Sequence, residues 1–215
     1  MVPPTLSSLV LAGALLASAL AFVVMRARLG RPLPAPFAEP RGSAAAGERW
    51  ALTAAFLPWN KESARHHLPS YAAGLLLHAA VAAMLVRLVW SLTGRPSPRP
   101  VELALAMLLA AGLACGLALF AKRALDPALR ALSVPEDYAA SLFVGAALAA
   151  GLAACLDARA IPVFQWIGAA LALYAPLGKL RHMVFLVTSR RFWGRYFGRR
   201  GVKPAPRIPG EARHG

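Results

Sequence analysis

The chain has 215 residues, 58% hydrophobic and only 15% charged, with a formal net charge of +15. The apolar residues are gathered in blocks of the ~20 residues that a helix needs to cross a bilayer core, and the alanine- and leucine-rich, aromatic-poor composition favours helices over barrel strands. The basic residues lie between and after these blocks, not on one soluble face, which argues against a nucleic-acid partner. The expected fold is all-α: one integral membrane domain over residues 1–201, with a short tail from 202 to 215.

Five segments read as membrane spans. The first runs from about Leu6 to Met25 and is followed by Arg26, Arg28 and Arg31. Its small residues Ala17, Ser18, Ala19 and Ala21 resemble a signal-peptide cleavage site, but no positive region precedes it. An uncleaved anchor with its N-terminus outside is therefore the preferred reading. A loop of about residues 26–69 follows. It is rich in Pro, Gly and Ala up to Gly47, then more apolar from Glu48 to Trp59, where it suits a membrane surface or a partner. The remaining spans are about Ser70–Leu92, Val101–Ala121, Tyr138–Leu156 and Pro162–Thr188. The tail after Gly201 contains proline and is expected to be disordered. No internal repeat and no soluble catalytic domain are legible.

Loop charges set an orientation. The first loop carries Arg26, Arg28, Arg31, Arg41, Arg49, Lys61 and Arg65, and the third carries Lys122, Arg123 and Arg130. The tail adds Arg190, Arg191, Arg195, Arg199, Arg200, Lys203, Arg207 and Arg213. The second loop has only Arg95 and Arg99, and the fourth only Arg159. The positive-inside rule makes the odd loops and the tail cytoplasmic and the N-terminus periplasmic, in a bacterial-type inner membrane.

Ionisable residues inside apolar segments are costly and usually have a task. His78 falls in the second span, roughly 12 Å from its cytoplasmic start, and His182 in the fifth, roughly 9 Å from the same side. Two imidazoles at one depth on different helices suit the axial positions of a haem. The alternative is two unrelated histidines, each hydrogen-bonded to a neighbouring helix. His66 and His67 read as interfacial polar residues, and His214 belongs to the tail. Lys179 and Arg181 lie near His182, where cations favour anionic groups such as propionates, although positive-inside charge also accounts for them. Arg87 reads as a side chain that snorkels to the outer interface. Cys115 and Cys155 are isolated, without CxxC, CxxCH or zinc spacing, so neither a disulfide nor a covalently attached haem is expected.

The stretch Tyr174-Ala-Pro-Leu-Gly-Lys-Leu-Arg-His182-Met resembles the last transmembrane helix of the respiratory nitrate reductase gamma subunit family. Tyr71-Ala-Ala-Gly-Leu-Leu-Leu-His78 resembles the start of that family's second helix, and Pro135-Glu-Asp-Tyr138 is similar to the residues before its fourth. The resemblance covers about residues 68–201. It implies five helices with b haems ligated from helices two and five, and it maps the proximal ligand pair onto His78 and His182. The distal pair is absent: Leu88 stands in one position, and the other falls near Phe164 and Gln165. The resemblance therefore implies one haem b, with Lys179 and Arg181 as propionate contacts. The membrane subunits of heterodisulfide reductase share the fold family and pair with a cytoplasmic iron–sulfur protein, so nitrate is not assumed.

The expected function is a haem b membrane subunit of a respiratory oxidoreductase complex, not a stand-alone enzyme. It passes electrons between the quinone pool and a cytoplasmic iron–sulfur partner docked on the basic loops and tail. Membrane lipid is a further partner. The alternative is a haem-free helical anchor, assembly subunit or small transporter.

Overall fold

The computed structural model describes residues 5–29, 39–60 and 66–202. Among them every regular element is helical: α1 (Leu6–Leu29), α2 (Ala44–Leu52), α3 (Leu68–Ser91), α4 (Arg99–Leu125), α5 (Pro127–Ala131), α6 (Pro135–Leu156), α7 (Ile161–Tyr174) and α8 (His182–Arg199), joined in places by short 3-10 turns. The expected disorder of the tail falls on residues outside the described set, as do His214, Lys61 and Arg65. The chain divides into two compact units, Met1–Gly30 with Pro69–Arg181, and Arg31–Leu68 with His182–Gly215.

The first unit is built from long apolar helices. Among the described residues four segments are long and apolar enough to cross a membrane: Leu6–Arg28, Leu68–Ser91, Arg99–Leu125 and Pro135–Leu156. Proline opens α4, α5, α6 and α7, where its missing amide would have had no helical partner anyway. The helices expose large apolar side chains outward; Leu16 and Met107 are more than 70% exposed. In water such surfaces are a liability. Against lipid they are the natural outer face, and the helices are consistent with a multi-pass membrane protein.

Small residues bring these helices together. Gly112 of α4 lies directly on Ala80 of α3, and Gly168 of α7 receives the methyls of Leu88 from α3. Gly151 of α6 lies beside the Phe164 ring of α7 and Leu109 of α4. In an apolar solvent such close approaches replace the hydrophobic effect as the source of helix association. The core consists of Leu11, Met84, Leu88, Leu109, Leu148 and Phe164 with the alanines around them.

The fifth apolar segment departs from the sequence reading. A continuous helix over Pro162–Thr188 was expected, but α7 ends at Tyr174 and α8 begins at His182. The 14 residues of α7 rise about 21 Å, short of the ~30 Å core. Pro176 supplies the break, because it has no amide to continue the ladder. The amides of Leu177 and Gly178 turn back onto the Tyr174 carbonyl at 3.0 and 2.9 Å. Gly178 then lies against the Tyr174 ring, where a Cβ would collide, and that ring stacks on Phe143 at 4.8 Å.

The second unit pairs α2 with α8, two helices far apart in the chain that pack as an antiparallel hairpin-like pair. Ser43 caps α2 through its hydroxyl on the Ala46 amide. The two helices meet through glycine: a Cβ on Gly198 would lie 2.6 Å from the Ser43 carbonyl oxygen, and one on Gly194 would lie 2.7 Å from that of Gly47. Gly201, with φ +71°, ends α8. The Val202 amide donates to the Phe197 carbonyl and the Gly201 amide to that of Gly198, a pattern that needs a left-handed residue. The amides of Arg41 and Gly42 both donate to the Arg199 carbonyl. Glu48 pairs with Arg191 at 2.6 Å and Arg195 at 3.9 Å across the hairpin.

The hairpin tolerates no side chain at its contact. Gly198→Leu should therefore cost more than about 2 kcal/mol, at the upper end of overpacking effects. Limited proteolysis of the full chain should cut the 41–60 segment faster in this variant, whereas Ser189→Ala, on the exposed surface of α8, should leave the rate unchanged.

Candidate functional site

His78 projects from α3 on an exposed face. Its Nδ1 lies 2.6 Å from the Gly74 carbonyl oxygen. A carbonyl only accepts, so Nδ1 carries a proton, and in the neutral ring Nε2 then holds the lone pair. Among the described residues Nε2 has no hydrogen-bond partner. This is the tautomer of a metal-ligating imidazole oriented by a backbone carbonyl. The helix is small on either side of the ring: Gly74, one turn before, has open space where a side chain would be, and Ala82, one turn after, is exposed. A flat macrocycle standing on the helix needs both clearances.

His182 has a different setting from the one expected. It is the first residue of α8, preceded by the 3-10 turn Lys179–Arg181, and it is exposed. The expected ~9 Å depth was counted along a continuous helix over Pro162–Thr188, and that helix is interrupted between Tyr174 and His182. His78 belongs to the first unit and His182 opens the second. Lys179 donates to Asp137 at 2.7 Å, and Arg123 reaches the same carboxylate at 3.3 Å. Its charge is thus partly used within the first unit. Arg181, His66 and His67 are exposed.

The Asp137 cluster marks one end of the first unit. Lys122 also donates there to Ser70 at the start of α3. Asp137 itself accepts the Val134 amide at 3.0 Å, fixing the start of α6. Sequence reading noted Lys179 but not its partner, because residues 42 positions apart give no periodic signal.

The other end of the first unit holds a buried polar cluster. Arg87 does not snorkel outward as expected. Its side chain is 6% exposed, and its Nε donates to Glu102 Oε2 at 3.1 Å and lies 3.0 Å from Oε1 in the same ion pair. The reason is the neighbouring helix: α4 places a carboxylate in its first turn opposite Arg87, and a desolvated guanidinium binds that carboxylate more strongly than the interface would. Nearby, the Ser7 hydroxyl donates to Gln165 Oε1 at 2.6 Å, and Gln165 Nε2 donates to the Ser91 carbonyl and hydroxyl. Every polar atom of the glutamine is used, as a buried amide requires.

Leu88 and the Phe164–Gln165 region, to which the resemblance would assign distal ligands, are closely packed. Leu88 and Phe164 are fully buried, with Leu88 seated on Gly168 and Phe164 beside Gly151. Gln165 is spent on Ser7 and Ser91. Cys115 and Cys155 are free thiols. Among the described residues no group of three or more His, Cys, Asp or Glu side chains could hold a metal ion; a haem iron needs only two axial imidazoles.

Comparison with protein-family models, with curated proteins and with solved structures finds no match.

The Arg87–Glu102 pair generates a stability prediction. Arg87→Leu leaves a buried carboxylate unpaired and should cost about 3–5 kcal/mol, while the double change Arg87→Leu/Glu102→Leu should recover most of that loss. Thermal unfolding of the purified chain in detergent reads both. Equal destabilisation by the single and double variants would show that the pair is not the buried unit described.

Proposed function

We propose that this chain is a haem b-binding membrane subunit of an electron-transfer complex, with His78 and His182 as the axial ligands. The observation that carries the reading is the hydrogen bond from His78 Nδ1 to the Gly74 carbonyl. It directs the Nε2 lone pair outward from an exposed face cleared by Gly74 and Ala82. A histidine that merely filled a helix interface would have Nε2 engaged by a neighbour. His182 enters as the second ligand through the resemblance of its segment to the last helix of nitrate reductase gamma subunits.

When bound, a haem with two imidazole ligands supplies one-electron transfer and leaves no open position for oxygen. The chain's own contribution is to hold the His78 ring in one tautomer, to supply apolar walls from α3, and to set cations beside the ligands. Arg181 is the nearer candidate for a propionate, because Lys179 is already paired with Asp137. The packed Leu88–Gly168 and Phe164–Gly151 contacts support a single haem.

The orientation follows from charge. Lys122, Arg123 and Lys179 gather at one end of the first unit, and the positive-inside rule makes that end cytoplasmic. The N-terminus then lies outside, in a bacterial-type inner membrane. The wider setting is electron transfer between the quinone pool and a cytoplasmic iron–sulfur partner, as in the families the sequence resembles.

Reduced-minus-oxidised spectra of membranes containing the chain test the ligand assignment. His78→Ala and His182→Ala should each abolish the b-type α-band of the wild type, while His66→Ala and His67→Ala should retain it. A band that survives His78→Ala unchanged would refute the assignment.

A further inference from the structure

We infer that α8 lies in the plane of the membrane interface, with its aromatic face among the acyl chains and its arginines on anionic lipid phosphates. Phe192, Trp193, Tyr196 and Phe197 follow the spacing i, i+1, i+4, i+5, which confines them to about 140° of the helix circumference. All four are exposed, and Trp193 is 51% exposed. Their rings touch one another in sequence: Phe192 meets Trp193 edge-on at 5.3 Å, Trp193 stacks on Phe197 at 5.6 Å, and Tyr196 contacts both. The result is an aromatic stripe over the last turns of α8, with the Arg200 guanidinium over the Tyr196 ring at 3.5 Å; Leu186, 42% exposed, lies on the same face beyond Ser189.

The opposite face of α8 is already occupied. Gly194 and Gly198 lie there, and both are buried against α2. The hairpin therefore fixes which side of α8 points away from its own unit. Arg190, whose guanidinium lies over the Phe56 ring at 4.6 Å, flanks the stripe on one side, and Arg195 and Arg199 flank it on the other, by the 100° step of the helix. An aromatic stripe with arginines on both shoulders is the pattern of an interfacial helix. Tryptophan and tyrosine settle at headgroup depth, and arginine stems lie along the apolar surface with the guanidinium at the phosphates.

Charge selects the lipid. The described residues of the second unit carry seven arginines against Glu39 and Glu48, and Glu48 is shared by Arg191 and Arg195. That excess suits an anionic surface. The chain also delivers α8 to a bilayer, because only residues 175–181 separate it from the apolar helix α7. A protein groove would be expected to engage scattered anchors at i, i+4 and i+7, not four adjoining rings with cations beside them.

The test uses the full chain in nanodiscs, with fluorescence of the wild type minus that of Trp193→Phe isolating Trp193. In nanodiscs containing phosphatidylglycerol, brominated acyl chains should quench Trp193, and aqueous acrylamide should quench it poorly. Replacing the anionic lipid with phosphatidylcholine should raise acrylamide quenching about twofold or more, as should Arg190→Gln/Arg195→Gln/Arg199→Gln. The lipid exchange needs no variant, so misfolding of the arginine variant cannot mask the result. Acrylamide quenching without bromolipid quenching in every lipid would overturn the inference. Protection that appears only after a cytosolic protein fraction is added would overturn it too, assigning the face to a protein partner. Haem content is measured separately, so either reading can fail alone.

Discussion

Pro176 has no amide hydrogen, and the helical ladder that begins at Ile161 cannot pass it. The consequence reaches the rest of the chain. The apolar helix stops at Tyr174, the backbone turns over the Tyr174 ring at Gly178, and a new helix starts at His182. The two halves of what reads as one span then follow different chemistry: α7 is apolar and packs with α1 and α6, while α8 is amphipathic, basic and paired with α2. The division of the chain into two units falls at this break.

Within the first unit, the balance of forces is that of a helix bundle in apolar solvent. Close contacts at Ala80–Gly112, Leu88–Gly168 and Phe164–Gly151 replace a water-driven core. Buried polar groups complete one another in Arg87–Glu102 and Ser7–Gln165–Ser91, whereas the buried Tyr174 hydroxyl has no hydrogen-bond partner among the described residues. His78 stands apart from this economy. It satisfies one ring nitrogen within its own helix and presents the other on a face with little steric bulk. That setting is the one on which the proposed ligand role of His78 rests.

Much of this architecture is legible in the sequence. Four spans fall within a few residues of their structural bounds, because about 20 apolar residues carry their own signal and prolines mark several starts. The interruption at Pro176–Leu177–Gly178 is equally present in the sequence, yet hydropathy on both sides conceals it: averaging over a span-length window blends α7 with the apolar first turns of α8. The environment of Arg87 is not legible, because its partner Glu102 lies on the next helix and stands in a segment read only for its length. The glycine contact between α2 and α8 is not legible either. It joins Gly47 to Gly194 and Gly198 across the whole chain, and glycine has no periodic hydropathy to reveal the pairing. His78 is legible as an ionisable residue within an apolar span and through the resemblance of Tyr71–His78; its tautomer needs the Gly74 carbonyl one turn away.

The central claim is one bis-imidazole haem per chain, and the ratio of haem to protein tests it most directly. A pyridine haemochrome assay on the chain purified after expression with haem supplied should give close to one b-type haem per chain. A value near zero would contradict the haem reading, and a value near two would contradict the account of Leu88, Phe164 and Gln165 as a filled second site.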